Sequence, residues 1–187
     1  KTVELEHFYA VDLDDGHSRL TPVLDALAAA AERGIVVRAL FDAGFARRYS
    51  TLPRAISLLP GAEVRLLDAS KAYGGIIHLK MLRVDGRDAF IGSQNFDWRA
   101  VEHIVELGVR TDAHCVVAPL GAIFAMDWAL AGGVDGAAAQ KVAAAMVGDA
   151  NPCMARFVAA DDTGTATATT TATTTATTTA TTTATTT

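Results

Sequence analysis

Along most of the chain, short runs of apolar residues alternate with segments in which apolar residues recur every three or four positions. The short runs are typical of β-strands, and the nearly continuous ones are typical of strands buried on both faces. This pattern predicts strands over residues 3–11, 35–41, 62–67, 76–84, 89–91 and 102–110. Asp85-Gly86 separates two of these runs and is a strong signal for a tight hairpin turn.

Helical spacing occupies the stretches between the predicted strands. Apolar residues from Leu20 to Ala31 share one helix face, with Ser18 or Thr21 as the N-cap and Gly34 as the left-handed residue after the helix. Further helices are predicted over residues 53–60, 117–130 and part of 134–157. Alternating strands and helices predict an α/β fold, in which helices cover a sheet.

The last segment of the chain differs in composition from the rest. From Thr163 onward it contains only Thr, Ala and one Gly. It has no large apolar side chain to bury, so it cannot offset the entropy of ordering. We therefore predict one folded domain over residues 1–161 and a disordered, low-complexity Thr/Ala tail over residues 162–187. An O-glycosylated stalk is an open alternative, and it is the one feature that favours an extracytoplasmic or membrane-associated location.

Composition limits the class of protein. A chain of 187 residues, 50% of them hydrophobic, suffices for one domain with a core and excludes two full-sized catalytic domains. The net charge of −5 does not indicate a global nucleic-acid-binding surface, although a local basic cleft stays open. Two cysteines exclude a disulfide scaffold and a cysteine-only zinc site. No apolar run approaches the roughly 20 residues of a membrane span, so no transmembrane segment is predicted.

The residues with chemical potential concentrate between positions 74 and 109. If residues 76–84 form a strand, His78 and Lys80 emerge on the same face, because side chains alternate along a strand. Asp85 then falls at the hairpin turn. After the returning strand, Ser93 and Asn95 stand two positions apart and can point in the same direction.

This set of residues suits an anionic phosphorus centre. Lys80 and Asn95 can neutralise and hydrogen-bond phosphate oxygens, and an imidazole can attack phosphorus and later leave. A carboxylate that holds the other ring nitrogen would fix the tautomer of His78. Glu106 lies among apolar residues of the next predicted strand, where an unpaired carboxylate would be costly. Taken singly, His78 could be a structural histidine and Glu106 a surface carboxylate on an edge strand.

The complete spaced set resembles the HKD motif of the phospholipase D superfamily. The residues that carry this resemblance read His78-x-Lys80-x4-Asp85-x6-Gly92-Ser93-x-Asn95. The wider block, from residue 62 to residue 128, is similar to the first-motif half of a branch that includes lysosomal phospholipase D-like exonucleases, poxviral relatives and bacterial proteins. The resemblance implies a single HKD domain with the α-β-α sandwich of this superfamily, in which helices cover a mixed sheet.

The resemblance also implies a role for each residue of the motif. His78 would be the nucleophile that forms a phosphohistidine, or the acid that protonates the leaving oxygen. Lys80 and Asn95 would bind the phosphate, and Ser93 would support their pocket. Two carboxylates would orient and charge-balance the histidine and the lysine: Asp85 and Glu106. No metal and no other cofactor is implied.

One departure from the superfamily pattern concerns the number of motifs. The active site of the superfamily is assembled from two HKD motifs, and this chain has one, because none of its other histidines is followed two positions later by Lys. A homodimer mate or a missing C-terminal half would have to supply the second motif. Both alternatives stay open, since the chain begins at Lys1 and could be a fragment, a processed chain or a trimmed one.

Three functions are compatible with the sequence. The first is hydrolysis or transfer of a phosphatidyl group of a phospholipid, which the acidic net charge favours because phosphate-backbone binding relies on clustered Lys and Arg. The second is a nuclease that acts on single-stranded DNA or RNA. The third is a non-catalytic half-domain that needs a partner. Arg47-Arg48 beside Tyr49 could contact a phosphate backbone, although a solvated loop is the plainer interpretation.

Overall fold

The computed structural model describes residues 1–12 and 17–147, in which short strands alternate with helices. The strands are β1 (Thr2–His7), β2 (Ala10–Val11), β3 (Val36–Asp42), β4 (Ala62–Leu67), β5 (Lys80–Val84), β6 (Asp88–Gly92), β7 (Phe96–Asp97) and β8 (Gly108–Thr111). The helices are α1 (Thr21–Glu32), α2 (Ala43–Arg48), α3 (Thr51–Ser57), α4 (Ala69–Tyr73), α5 (Trp98–Glu102), α6 (His114–Ala131) and α7 (Gly136–Val147). The predicted Thr/Ala tail and the predicted domain end at residue 161 lie outside these described residues.

Six of the strands form one mixed sheet in the order β4-β3-β1-β5-β6-β8. Strands β1, β3 and β4 are parallel, whereas β5, β6 and β8 pair antiparallel with their neighbours. A separate parallel ribbon joins β2 to β7. The predicted α/β fold with a mixed, helix-covered sheet is confirmed.

Apolar side chains on the two faces of the sheet form two cores. On one face, Leu5, Val37 and Phe41 pack with residues of α1, α2 and α3, including Leu27 and Leu52. The opposite face packs against α6, and its buried residues include Leu40, Met81, Val117, Leu120 and Phe124. This alternation along β3 and β5 is the period-two pattern that a sheet covered on both sides requires.

Strand β4 and the hairpin between β5 and β6 have the predicted positions. Strand β4 spans the predicted residues 62–67. At the hairpin, Asp85 and Gly86 have φ angles of 52° and 65°, as a two-residue turn of the primed type demands. Helix α1 begins at Thr21, but its N-cap position is held by Leu20, so the prediction of Ser18 or Thr21 there is wrong. Ser18 instead accepts a hydrogen bond from the Leu20 amide at 3.0 Å.

Three predicted strands differ from the observed ones by more than one residue at an end, and strand pairing explains each difference. The predicted strand 3–11 is interrupted at Phe8 and Tyr9, because β1 pairs in the main sheet and β2 pairs with β7. Residues 76–79 precede β5, since the ladder with β1 ends where His7 opposes Lys80. The predicted strand 102–110 contains the end of α5, a loop and the start of β8, because pairing with β6 covers only residues 108–111.

Helix α6 is, within the described part of the chain, the one helix long and apolar enough to cross a membrane by length and composition. It has 18 residues and a mean hydropathy of 1.5. Helices in the core of a folded domain meet the same criteria, and α6 packs on the sheet through Val117, Leu120 and Phe124. The sequence pattern predicts a helix over residues 117–130 and no transmembrane segment.

A buried carboxyl pair joins β1 to α6. Glu6 is 1% exposed and lies near Asp127, which accepts a hydrogen bond from the Tyr73 hydroxyl. Burial and the nearby charge of Asp127 raise the pKa of Glu6 well above its ordinary value. The protonated form of Glu6 is therefore the stable one in the folded chain, since a second buried negative charge would be repelled.

Replacing Glu6 by Gln should stabilise the fold increasingly as the pH rises. The pKa of Glu6 is higher in the folded chain than in the unfolded one, so the unfolded chain loses its proton first. The wild type therefore loses stability as the pH rises from about 4.3 toward the folded-state pKa. Urea unfolding between pH 4.5 and pH 9 would measure the effect. Glu32→Gln, on an exposed carboxylate at the end of α1, is the control; equal pH profiles for both variants would contradict the assignment.

Candidate active site

The candidate site lies where the parallel strands end, an edge that we name the carboxyl edge. Strands β1 and β3 end there at His7 and Asp42, and the antiparallel β5 begins there at Lys80. In α/β sheets, ligands bind outside the carboxyl ends of the strands, where the connections reverse direction. His78 precedes β5 by two residues and is exposed at this edge.

His78 and Lys80 are in direct contact, as their spacing predicts. The Lys80 Nζ atom lies 3.0 Å from His78 Nδ1 and 2.7 Å from the His78 carbonyl oxygen. An ammonium can only donate, so a neutral ring in this contact accepts on Nδ1 and carries its proton on Nε2. Phe8 supports both residues, because its ring centroid lies 4.9 Å from the His78 ring and 5.4 Å from Lys80 Nζ.

The ammonium of Lys80 is held in a largely dry position. Lys80 is 4% exposed. Burial lowers its pKa from the ordinary value, and the negative charge of Glu106 acts in the opposite direction. His7 lies directly across the β1–β5 ladder, and burial together with the charge of Lys80 lowers the pKa of His7 to about 3. His7 is therefore neutral, and Lys80 is the cation that faces the site.

Ser93, which follows β6, and Glu106, which precedes β8, form a hydrogen-bonded pair. The Ser93 hydroxyl donates to the Glu106 carboxylate and accepts from the Leu107 amide at 3.0 Å. The Ser93 amide donates to the Leu107 carbonyl at 2.9 Å. The resemblance implies that Glu106 orients the His78 ring. In the structure, Glu106 instead bonds Ser93 and acts on Lys80 through its charge.

Gly92 and Gly108 permit this pair to form, because the two strands pass each other closely at that point. They are opposite residues in the β6–β8 ladder. A Cβ on Gly92 would lie 2.8 Å from the Leu107 carbonyl oxygen and 2.9 Å from the Gly108 Cα atom. Both neighbours are backbone atoms that cannot move independently of the strand. The motif therefore requires glycine at position 92, because the backbones of β6 and β8 pass too close together for a side chain.

A chain of hydrogen bonds links Asn95 to Tyr9 and Asp97 at the carboxyl edge. The Asn95 Nδ2 atom donates to the Tyr9 hydroxyl at 3.3 Å, and that hydroxyl donates to Asp97 at 2.9 Å. Burial and the bond to Asp97 raise the pKa of Tyr9 to about 12, so the hydroxyl keeps its proton. Burial raises the pKa of Asp97, but hydrogen bonds from Arg99 and Tyr9 outweigh it and lower the value. The Asn95 Oδ1 atom is buried without a partner among the described residues.

Asp42 positions the segment that carries the histidine. One of its carboxylate oxygens caps α2, accepting from the Gly44 and Phe45 amides at 2.9 and 3.3 Å. The other oxygen accepts from the Ile77 amide at 3.1 Å. Because Asp42 is 4% exposed, water competes little for these bonds. The main chain immediately before His78 is therefore tied to the end of β3.

Asp85 does not join the other predicted site residues. It follows β5 at the end opposite to Lys80, five residues away, which is roughly 16 Å at about 3.3 Å per residue. Its carboxylate accepts a hydrogen bond from the Thr2 amide at 2.8 Å. The expectation that Asp85 orients the histidine or lysine is therefore corrected: it ties the hairpin to the start of β1.

Sequence reasoning missed several residues that shape the site: His7, Phe8, Tyr9, Asp42 and Asp97. Most of them end or follow a parallel strand, and position at a carboxyl edge is the signal that could have found them. Among the described residues, no group of three or more His, Cys, Asp or Glu side chains is placed to hold a metal ion. The site combines the His78 ring and the Lys80 ammonium with the hydroxyl of Ser93 and the carboxylate of Glu106.

These features define an α/β domain with its candidate functional groups at the carboxyl edge of a mixed sheet. A family profile described as "Cardiolipin synthase, PLD-like domain" matches residues 4–128. The chain belongs to this family and, with it, to the phospholipase D superfamily.

Two curated relatives illustrate the likeness in sequence. The 5'-3' exonuclease PLD3 of Rattus norvegicus is 36% identical over 110 residues, which are 58% of this chain and 22% of the relative. The virion nicking-joining enzyme of monkeypox virus is 29% identical over 133 residues, which are 70% of this chain and 30% of the relative. The chain thus spans between about a fifth and a third of the length of these relatives.

Two solved structures have the same fold. NucT from Helicobacter pylori superposes with a TM-score of 0.57 at 21% identity. Nuc from Salmonella typhimurium, described as a phospholipase D family member, superposes with a TM-score of 0.52 at 21% identity. Both alignments cover 68% of this chain and 78% of the other.

Gly92→Ala should loosen the β6–β8 ladder and separate Ser93 from Glu106. We expect a loss of about 1–3 kcal/mol in the free energy of unfolding, because the new methyl group meets backbone on the facing strand. Denaturant unfolding measures this loss. Gly136→Ala is the matched control, since a Cβ there meets nothing within 4 Å. A Gly92 variant as stable as the Gly136 variant would show that the strands do not need this close approach.

Proposed function

We propose that this chain is the catalytic HKD unit of a phosphodiesterase that acts on single-stranded nucleic acid through a covalent phosphohistidine. The observation that carries the proposal is the contact of His78 with the buried ammonium of Lys80, 3.0 Å apart at the carboxyl edge. Such a pair supplies a nucleophile and a fixed positive charge for the same phosphate group.

Substrate binding would prepare the histidine for attack. A phosphodiester oxygen is an anionic acceptor, so it competes with the ring of His78 for the Lys80 ammonium. Once the ammonium turns to the phosphate, the ring is free to exchange tautomer and present an unprotonated nitrogen to phosphorus. Asn95 would donate to a second phosphate oxygen, and Tyr9 would keep the Asn95 amide oriented through the 3.3 Å bond.

The reaction would proceed in two displacements at phosphorus. In the first, a His78 nitrogen forms a bond to phosphorus, the bond from phosphorus to the leaving oxygen breaks, and an acid protonates that oxygen. In the second, water adds to phosphorus, loses a proton to the same group, and the bond from phosphorus to His78 breaks. The acid and base of both steps would be the histidine of a second HKD unit.

The preference for nucleic acid comes from the relatives. PLD3 is named a 5'-3' exonuclease and the poxviral protein a nicking-joining enzyme. Phosphatidyl hydrolysis or transfer is the second candidate, because the matching family profile carries the name of cardiolipin synthase. Both reactions would use the same groups, since each substrate presents a phosphodiester to His78, Lys80 and Asn95.

His78→Gln should abolish turnover, with a loss of at least about a thousandfold in kcat, because the nucleophile or acid is removed. The assay uses labelled single-stranded DNA, bis(p-nitrophenyl) phosphate and phosphatidylglycerol vesicles in parallel. His103→Gln is the control, since His103 is exposed and packs edge-to-face with Trp98.

Each result of this assay has a distinct meaning. Cleavage of the DNA by the wild type and the His103 variant alone supports the proposal. Turnover of the lipid without cleavage of the DNA would favour the second candidate. No turnover of any substrate by a stable dimer would favour a non-catalytic half-domain, and unchanged activity of His78→Gln would exclude the covalent mechanism.

The second HKD unit would dock on the loop that carries Glu106, and we propose that it is a second copy of this chain. Ile104, Val105 and Leu107 flank this carboxylate and are 53%, 101% and 77% exposed. The neighbouring β8 is an edge strand of the sheet. Exposed apolar groups next to an unpaired strand edge are typical of an interaction surface.

Leu107→Asp should shift the chain from dimer to monomer and remove activity, because a charge would be buried in the proposed interface. Sedimentation equilibrium measures the mass, and the DNA assay measures activity. Leu58→Asp is the matched control, since Leu58 on the far side of α3 is also 77% exposed. A wild-type chain that is monomeric at micromolar concentration would contradict the homodimer and leave a missing half as the source of the second motif.

A further inference from the structure

A cavity of about 360 Å³ opens beside the candidate active site and has no role in the chemistry described above. It lies between β2 and the helices α2 and α3. Its walls are formed by Ala10, Val11, Asp12, Arg48, Tyr49, Thr51, Leu52 and Ala55. The volume falls within the range typical of small-ligand pockets. The cavity combines an apolar floor with one guanidinium, one phenol ring and one carboxylate.

Aromatic rings connect this cavity to the catalytic histidine, and we name them the aromatic wall: Phe8, Tyr9, Phe45 and Tyr49. The His78 ring lies 4.9 Å from Phe8, which in turn lies 3.9 Å from Phe45. Tyr9 stacks on Phe45 at 6.2 Å and contacts Tyr49 at 5.3 Å. The wall therefore runs without a gap from the reacting nitrogen to the cavity.

Tyr9 links the candidate active site to Tyr49, which lines the cavity. The Tyr9 hydroxyl accepts from Asn95 and donates to Asp97, whereas its ring contacts Tyr49. A group bound at the cavity would therefore lie one residue away from the amide that binds the scissile phosphate.

Arg48 and Tyr49 supply the chemistry that recognises a nucleotide. The Arg48 guanidinium lies 5.6 Å from the centre of the Tyr49 ring, and Arg48 is exposed. Aromatic rings and guanidinium planes stack on nucleobases irrespective of sequence, and a guanidinium also pairs with phosphate. The acyl chains of a lipid would gain nothing from the charged groups of this cavity. Asp12 accepts a hydrogen bond from the Ser18 hydroxyl, and its negative charge disfavours a phosphate deep in the cavity.

We propose that this cavity is a nucleotide subsite, in which Tyr49 stacks on the base adjacent to the scissile phosphate and Arg48 pairs with the flanking phosphate at the cavity mouth. This inference rests on the proposed function, because it names the way in which the same site holds single-stranded nucleic acid. The proposal distinguishes the two adjacent arginines, because Arg48 lines the cavity and Arg47 does not.

Binding measurements on a cleavage-deficient His78→Gln background test the subsite. The probes are a fluorescent single-stranded DNA oligonucleotide and the same oligonucleotide with abasic positions. Tyr49→Ala should weaken binding of the base-bearing probe by about tenfold and affect the abasic probe much less, because stacking needs a base. Tyr49→Trp should restore the affinity. Arg48→Gln should weaken both probes and reduce the salt dependence by about one unit of slope, whereas Arg47→Gln should do neither.

The outcomes separate this inference from the proposed function. Equal affinity of Tyr49→Ala and its parent for the base-bearing probe would overturn the stacking role, even if the wild type cleaves DNA. Equal effects of the Arg47 and Arg48 substitutions would overturn the cavity-mouth contact. If the wild type turns over bis(p-nitrophenyl) phosphate but neither binds nor cleaves DNA, the proposed substrate fails and the subsite fails with it. Circular dichroism confirms that each variant is folded.

Discussion

The buried ammonium of Lys80 is the constraint around which the site is arranged. A cation that is 4% exposed has lost most of its hydration, so the fold must supply acceptors and negative potential in place of water. The His78 carbonyl, the His78 ring and the charge of Glu106 do this in the free chain. None of them is a carboxylate bonded directly to Nζ. An anion that enters the carboxyl edge is therefore attracted by a charge that is only partly compensated, and this is what a phosphate site needs.

The local pattern of apolar and polar residues suffices to predict elements whose position depends on their own sequence and not on distant contacts. Strand β4 and the Asp85-Gly86 hairpin follow from alternation and turn chemistry alone. The contact of His78 with Lys80 also follows from spacing, although His78 lies before the strand rather than in it. The loop with Ile104, Val105 and Leu107 was predicted as a strand because its apolar residues mimic a buried one. They are instead exposed, so an apolar run of this kind does not by itself identify a strand of the core.

Contacts between distant parts of the chain could not be predicted in this way. Tyr9 meets Asn95 across 86 positions and Asp97 across 88, and nothing in either local sequence marks the pairing. The bond from Ile77 to Asp42 depends likewise on the order of strands in the sheet. The motif identifies the functional residues, whereas these long-range hydrogen bonds position their side chains and main chain. Asp85 shows the converse case, because a residue of the motif can have a structural role far from the chemistry.

The acidic net charge is a weak guide to the substrate, because a ligand responds to the charges around the site. A net charge of −5 describes the whole chain, and several carboxylates near the carboxyl edge are already compensated. Asp97 is paired with Arg99, and Asp42 accepts three backbone N–H groups. Lys80 and Arg48 remain directed at the edge and the cavity. The local field can therefore attract a polyanion, although the global charge was the argument for a lipid. What distinguishes the two substrates is the stacking surface of Tyr49, since a base would use it and a lipid headgroup would not.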